Sequence, residues 1–218
     1  VFSNGVDNGV QIGPKTGDIS SFDSFDKFYD AYKAQMEYMI ELLVNADNSI
    51  DCAHAERCPL PFLSSMIEDC IGRGKSVQEG GAVYNFTGPQ GFGIANMADA
   101  LYAVRKLVFE DKKLTLEEFK EALDNNFGKD MDAHAAEKLT QTVAKEIIAS
   151  GKTLNENDIH NIYNVVKTNN CSDEQKKRYD NLLSMIDALP KFGNDIKEID
   201  DFARDIAYTY TKPVEKYK

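Results

Sequence analysis

The chain has no apolar run long enough to cross a membrane, which takes about 20 such residues in succession. Its longest apolar stretch, Met39-Ile40-Glu41-Leu42-Leu43-Val44, is already interrupted by a glutamate. Positive charge is also in short supply. Lys and Arg number 25 against 36 Asp and Glu, a formal net charge of -11. Binding phosphates needs clustered cations, so nucleic acid is excluded as a partner. The acidic balance otherwise speaks only to solubility. The four cysteines, Cys52, Cys58, Cys70 and Cys171, follow no disulfide framework, and 218 residues is long for a disulfide-stapled domain. Free thiols in a reducing cytoplasm are expected. The opening stretch, Val1 to Gly13, is polar and rich in Gly and Asn. It lacks the basic and apolar regions of a secretory signal. The first residue is not Met, as in a processed chain or in a section of a longer one.

Apolar residues make up 42% and charged residues 28%, which suits one globular domain or one lobe of a larger one. Most of it reads as helix. Ser24 is a good N-cap, and Phe25, Phe28, Tyr32, Met36, Met39, Ile40 and Leu43 recur behind it at helical spacing, predicting a helix from about Phe25 to Asn45. Pro59 and Pro61 punctuate the next stretch, and a shorter helix is expected over Phe62 to Ile71, closed by Gly72. Ala82-Val83-Tyr84-Asn85-Phe86-Thr87 alternates and reads as a strand. Gly88-Pro89-Gln90-Gly91-Phe92-Gly93 is too rich in Gly and Pro for regular structure. A helical stripe follows, from Ile94 through Leu101 to Val108.

Two capping boxes, Thr115 to Glu118 and Thr153 to Glu156, predict helices to about Asn125 and Thr168. Asp132 to Ser150 reads as another helix, Ser172 caps one ending before Pro190, and the last runs from about Ile196 with Pro213 near its end. The fold class is therefore mainly α with a short β segment. Segment 129–188 is the most polar and helix-rich part and reads as a helical insertion.

The loop from Gly88 to Gly93 is the best local candidate for a site. Its glycines let a ligand approach the backbone and can take positive φ. The helix N-terminus behind it suits an anion or polar group. Gln90 offers both a donor and an acceptor. The same spacing also suits a tight connection with no ligand, and it matches neither of the common nucleotide-binding glycine patterns. Cys52, His54, Cys58 and Cys70 fit no common zinc spacing, so no metal is expected. Asp51, His54 and Glu56 lie close enough in sequence for acid–base work, but a His among charged residues is more often structural. His134 and His160 read as solvent-facing. Asp130-Met131-Asp132 lacks the glycine and later Glu of a calcium loop.

One longer pattern stands apart from these local ones. Ala53-His54-Ala55-Glu56-Arg57-Cys58-Pro59-Leu60-Pro61-Phe62-Leu63-Ser64-Ser65 resembles the glycyl radical enzymes of the pyruvate formate-lyase-like family, and most of all its B12-independent glycerol dehydratase branch. The likeness continues in order through Asp69-Cys70-Ile71, Gly80-Gly81-Ala82, Tyr84 to Gly91 and Gly93 to Asn96. Upstream it takes in Ile12 to Thr16 and Ala31 to Tyr38, and downstream Lys106 to Phe109 and Pro190 to Asp195. Cys58 and the long 129–188 segment depart from the family pattern.

The resemblance implies that residues 1–218 are an internal piece of a ten-stranded α/β barrel whose centre holds a cysteine loop and a glycine loop. A radical-SAM activating enzyme installs the glycyl radical in that family. A thiyl then takes a hydrogen atom from a small polar substrate, and the substrate radical eliminates or cleaves. The implied parent is a cytoplasmic, homodimeric, anaerobic lyase of the glycerol or diol dehydratase type. Formate C-acetyltransferase, hydroxyproline dehydratase and choline or isethionate lyase are alternatives. A stand-alone module that binds an anionic metabolite at Gly88–Gly93 is a further one. The cysteine loop, with its Gly-Cys-x-Glu pattern, is expected before Val1 and the glycine loop beyond Lys218. Neither pattern occurs in the chain, so no catalytic residue and no cofactor is assigned to it, and alone it should be inactive. Gln90, with Pro89 and Gly91, is expected on the substrate side of the pocket.

Overall fold

The computed structural model describes residues 1–7, 9–130, 133–167 and 171–217, without the side chains of 133–135. Helices dominate. They are α1 (Phe25–Arg57), α2 (Pro61–Met66), α3 (Cys70–Arg73), α4 (Ile94–Val104), α5 (Leu116–Asp124), α6 (Ala133–Ala149), α7 (Glu156–Lys167), α8 (Asp173–Asp187) and α9 (Lys197–Tyr217). The expected short β segment is present, but at another place. Strands β1 (Val6–Asp7) and β2 (Val10–Gln11) pair antiparallel, with Val6 opposite Gln11. Asn8 lies outside the described residues. Gly9 takes a φ of 77°, which glycine adopts without strain.

The chain divides into two compact units. The first joins Val1–Tyr102 to Lys191–Lys218, and the second is Ala103–Pro190. The first is discontinuous in sequence, and α1 packing on α9 closes it. Phe28 is 1% exposed and Ile199 is fully buried. Full burial of such side chains is worth about 1.5–3 kcal/mol each. Phe25, Tyr29 and Phe202 form an aromatic cluster, with ring centroids 5.6 Å apart for Tyr29 and Phe202 and 5.9 Å for Phe25 and Phe202. Phe2 and Phe22 each lie 5.5 Å from the Phe28 ring and bring the N-terminal segment onto α1. Gln35 on α1 fixes that segment further, donating to the Pro14 carbonyl (2.6 Å) and the Thr16 hydroxyl (3.1 Å). Farther along, Glu37 pairs with Lys216 of α9, whose ammonium holds the carboxyl below its usual range.

The second unit has its own core of Leu107, Ala122, Tyr179 and Leu182, with Phe127, Met185 and Ile186 packed around it. The Tyr179 hydroxyl donates to Glu121, which also pairs with Arg178. Helix α6 packs on α7 within this unit. Its buried residues include Ala136 and Thr140, and the Thr140 hydroxyl donates to the Ala136 carbonyl four residues back.

Several expected boundaries move. Helix α1 runs past Asn45 to Arg57, where Cys58 ends it against Pro59. The helix expected over Phe62 to Ile71 breaks into α2 and α3, with Ile67 extended and Asp69 at a left-handed φ of 73° between them. Ser24, Thr115 and Ser172 cap as expected, Thr115 in its box with Glu118 and Ser172 in a box with Gln175. The box assigned to Thr153 and Glu156 instead joins Asn155 and Asp158, each backbone N–H donating 3.0 Å to the other's side chain. Segment 82–87, expected as a strand, is irregular. A strand needs a ladder partner for its backbone groups. Among the described residues the paired strands are β1 and β2, and neither takes it up.

The Tyr29 hydroxyl is buried without a hydrogen-bond partner. Burial, then the nearby Tyr32 and Asp205, push its phenol from 10.0 up to about 12. The folded state therefore holds this proton more tightly than the unfolded chain. The associated stability is complete below about pH 10 and lost as pH rises toward 12. Tyr29→Phe should fold normally at neutral pH and lose less melting temperature than wild type between pH 10 and 12. Parallel losses in the two proteins would show that Tyr29 does not carry the effect.

Candidate functional site

The segment that carries the candidate loop is anchored firmly on its N-terminal side. Ser76 and Glu79 form a capping box, with Glu79 accepting from the Ser76 N–H at 2.9 Å. Gly80 follows with a φ of 74°, a conformation that glycine adopts without strain. A Cβ on Gly81 would stand 2.2 Å from the Lys75 carbonyl oxygen and 2.9 Å from the Cys70 sulfur, so this position has room for glycine alone. Arg73 closes the knot by donating to the Gly81 carbonyl at 3.1 Å.

Beyond Gly81 the chain runs irregularly to Gly93. Its large side chains face solvent: Tyr84 is 82% exposed, Phe86 79% and Phe92 87%. Two contacts tie it down before α4. The Thr87 hydroxyl donates to the Asp51 carboxylate on α1 at 2.5 Å. Gly91 lies against the ring of Tyr210 on α9, so close that a Cβ would stand 3.1 Å from the ring. Gly93 then takes a φ of 79° and its carbonyl accepts from Met97 at 2.9 Å, which starts α4.

Between the segment and α1 lies a cleft of about 250 Å³, with Asp51 and His54 on one side and Gln78, Asn85, Phe86 and Thr87 on the other. Its polar groups can both donate and accept, and the Phe86 ring gives an apolar wall. Of the residues singled out in the sequence, Asp51 and His54 meet here. Gln90 is exposed at the tip of the loop, Pro89 is half-buried beside it, and Gly91 rests on Tyr210. None of these three lines the cleft. Of the three loop glycines, Gly93 alone uses positive φ.

The cysteines are dispersed. Cys52 and Cys58 are exposed on and just after α1, Cys70 is buried under Gly81, and Cys171 is half-buried in the second unit. His160 is exposed on α7. The side chain of His134, and Met131 and Asp132 of the rejected calcium loop, lie outside the described residues. Among the described residues no helix is long and apolar enough to cross a membrane.

Sequence reasoning missed Tyr210. Its hydroxyl is buried without a hydrogen-bond partner, and burial first, then the charge of Asp47, pushes its phenol up. No local pattern marks it, since it reaches Gly91 only through the packing of α9.

The family described as pyruvate formate lyase-like matches residues 1–218. A solved structure of 1,2-propanediol dehydration in Roseburia inulinivorans is 52% identical over the whole of this chain, with a TM-score of 0.83, and the match takes up 26% of that protein. The B12-independent glycerol dehydratase of Clostridium butyricum, solved with glycerol bound, is 42% identical over the whole chain with a TM-score of 0.70. The match takes up 21% of it. The trans-4-hydroxy-L-proline dehydratase of Clostridioides difficile is 39% identical over 127 residues, which is 57% of this chain and 16% of that protein.

The glycine contact gives a direct test. Gly91→Ala should lower stability by about 1–3 kcal/mol, the usual range for a forced overlap. Tyr210→Phe removes an unpartnered hydroxyl and should leave stability unchanged or raise it. Urea denaturation measures both. A Gly91→Ala protein as stable as wild type would mean that the ring yields freely.

Proposed function

The chain belongs to the pyruvate formate lyase-like family, and from that premise we propose that it is one internal section of a longer glycyl radical enzyme, a dehydratase-type lyase acting on a small diol. The observation that carries this reading is the end-to-end similarity, at 52% identity, to a protein of 1,2-propanediol dehydration. The glycerol dehydratase, similar over the same span, supports the diol class. The solved hydroxyproline dehydratase of Clostridioides difficile covers 97% of this chain but at 28% identity, well below the 52% of the propanediol protein, so a hydroxyproline substrate ranks below a diol.

In this reading the chain supplies scaffold and one wall of the pocket. The radical chemistry belongs to a thiyl-forming cysteine and a glycyl radical carried elsewhere in the whole protein, the radical being installed by a radical-SAM activating enzyme. The thiyl takes a hydrogen atom from the substrate, and the substrate radical then eliminates. The 218 residues contain no Gly-Cys-x-Glu pattern, and by themselves they are inactive. The whole protein works as an anaerobic homodimer in the cytoplasm. Segment 129–188 is a helical insertion in the family framework. That assignment draws on its place in a unit, Ala103–Pro190, that has its own core and that interrupts the first unit in sequence.

Gln90 is the residue assigned to the substrate. Its amide is exposed beside Pro89 and Gly91 at a loop tip. It both donates and accepts, which matches a hydroxyl's own donor and acceptor. Pro89 stiffens the approach, since its ring fixes φ. Gly91 brings the backbone close to Tyr210.

Antibody raised to this chain should detect, in its source cells, a protein several times heavier than the chain. A band at the chain's own mass would remove the internal-section reading. The full-length protein, activated anaerobically, should turn over 1,2-propanediol or glycerol faster than hydroxyproline. In that protein Gln90→Ala should lower kcat/KM roughly 2- to 10-fold, the effect of losing one hydrogen bond, without lowering the melting temperature. Unchanged kinetics on every diol tested would take Gln90 out of the pocket.

A further inference from the structure

The stretch from Ala82 to Gly93 raises a physical problem. It has no ladder partner among the described residues. Its apolar side chains Val83, Tyr84, Phe86 and Phe92 are all largely exposed, so hydrophobic burial does not hold it either. A segment of that kind tends to keep its conformational freedom. Yet Gln90, if it is to bind a small molecule, must sit within a fraction of an ångström of one position.

Two contacts bracket Gln90. On its N-terminal side, the Thr87 hydroxyl donates to the carboxylate of Asp51, a residue 36 positions earlier on α1. A hydrogen bond to an ionised acceptor is about twice as strong as a neutral one. On its C-terminal side, Gly91 lies against the ring of Tyr210, where a Cβ would stand a tight 3.1 Å from the ring. The bracketed span is Gly88-Pro89-Gln90. Gly88 has open space around it, whereas Pro89 fixes its own φ. The two anchors come from α1 and α9, the pair that closes the first unit. The loop tip is therefore referred to rigid helices at both ends while its own backbone lacks regular structure.

We propose that Asp51, Thr87 and Tyr210 are positioning residues: the Thr87–Asp51 hydrogen bond and the Gly91–Tyr210 contact clamp the two ends of the Gly88–Gln90 span and so set where the Gln90 amide stands. This rests on the assignment of Gln90 to the substrate, and it adds how that group is held. The clamp acts through Gln90 and touches no reacting atom. Thr87 works by its donor and Asp51 by its charge. Tyr210 works by its flat face, so its hydroxyl is dispensable.

The test uses the full-length enzyme and two readouts. The rate of limited chymotrypsin cleavage within residues 82–93, read by fragment mass, reports the clamp alone. The kcat/KM for 1,2-propanediol reads its consequence. Thr87→Val keeps the shape of the side chain and removes the donor, so it should speed cleavage in this segment roughly 10-fold, as loss of a charge-assisted bond implies. It should also lower kcat/KM in the Gln90 background and have no further effect in Gln90→Ala, because the clamp acts through that residue. Thr87→Ser restores the donor and should restore both readouts. Asp51→Ala should behave as Thr87→Val does, which keeps the test open if one variant folds poorly. Unchanged cleavage in Thr87→Val and Asp51→Ala would overturn the clamp, whatever Gln90→Ala does. Effects of Thr87→Val and Gln90→Ala that multiply would also overturn it, since a general structural role gives that result. Faster cleavage in Thr87→Val with normal kinetics in Gln90→Ala would leave the clamp standing and remove the substrate role of Gln90.

Discussion

The packing of α1 on α9 is the constraint on which the first unit depends. These helices lie at opposite ends of the chain, and the whole of Ala103–Pro190 runs between the two parts they join. Closing a long loop carries an entropic cost that grows only slowly with length. A large intervening unit is therefore tolerated as long as the closing contact is strong. The contact includes an aromatic cluster, Phe25 and Tyr29 on one side and Phe202 on the other, and α9 also buries Ile199 and Ile206. Everything at the candidate site borrows its position from that pair, since Asp51 stands on α1 and Tyr210 on α9.

The independent core of the second unit follows from the same constraint. An excursion that leaves within α4 and stops before α9 must satisfy its own apolar residues. Tyr179, Leu182, Leu107 and Ala122 do so among themselves. The polar sequence of 129–188 reads as a surface addition, but it gives no hint of the buried Tyr179 or of its bond to Glu121, because those contacts join α5 to α8 across most of the unit.

Local signals were legible and long-range ones were not. Ser24, Thr115 and Ser172 are visible as caps because the cap and its partner lie three residues apart. The assignment of the cap to Thr153 failed for the same local reason: Asn155 competes within the same turn, and Asp158 decides for it. The far half of α1 carries no clear apolar stripe, so periodicity stops near Asn45 although the helix does not. Asn-Gly at positions 8 and 9 of the sequence is a hairpin signal, and strands of two residues are too short to show alternation. Gly91 was recognisable as glycine in a loop. The ring that makes it necessary lies on α9, which no spacing rule connects to it.

The misread strand is the most informative of these cases. Alternation over Ala82–Thr87 is a statement about side chains: Val83, Tyr84 and Phe86 are residues that suit a covered, pleated surface. Strand structure is a statement about pairs, and pairing requires a neighbour. In this chain the side-chain preference persists while the neighbour is lacking among the described residues, so the three side chains stand in solvent. Natural sequences rarely keep such a conflict between local preference and surroundings. The conflict disappears if the surroundings are larger than these residues, which is the same conclusion that the proposed internal-section reading reaches from similarity alone. A pattern of residue types and a comparison of whole chains are different kinds of observation, and the proposed internal-section reading draws on both. Under that proposal the hydrogen-bonding tip of the segment serves as one wall of a pocket whose reacting groups lie elsewhere, because a fold supplies positions and only the site supplies chemistry.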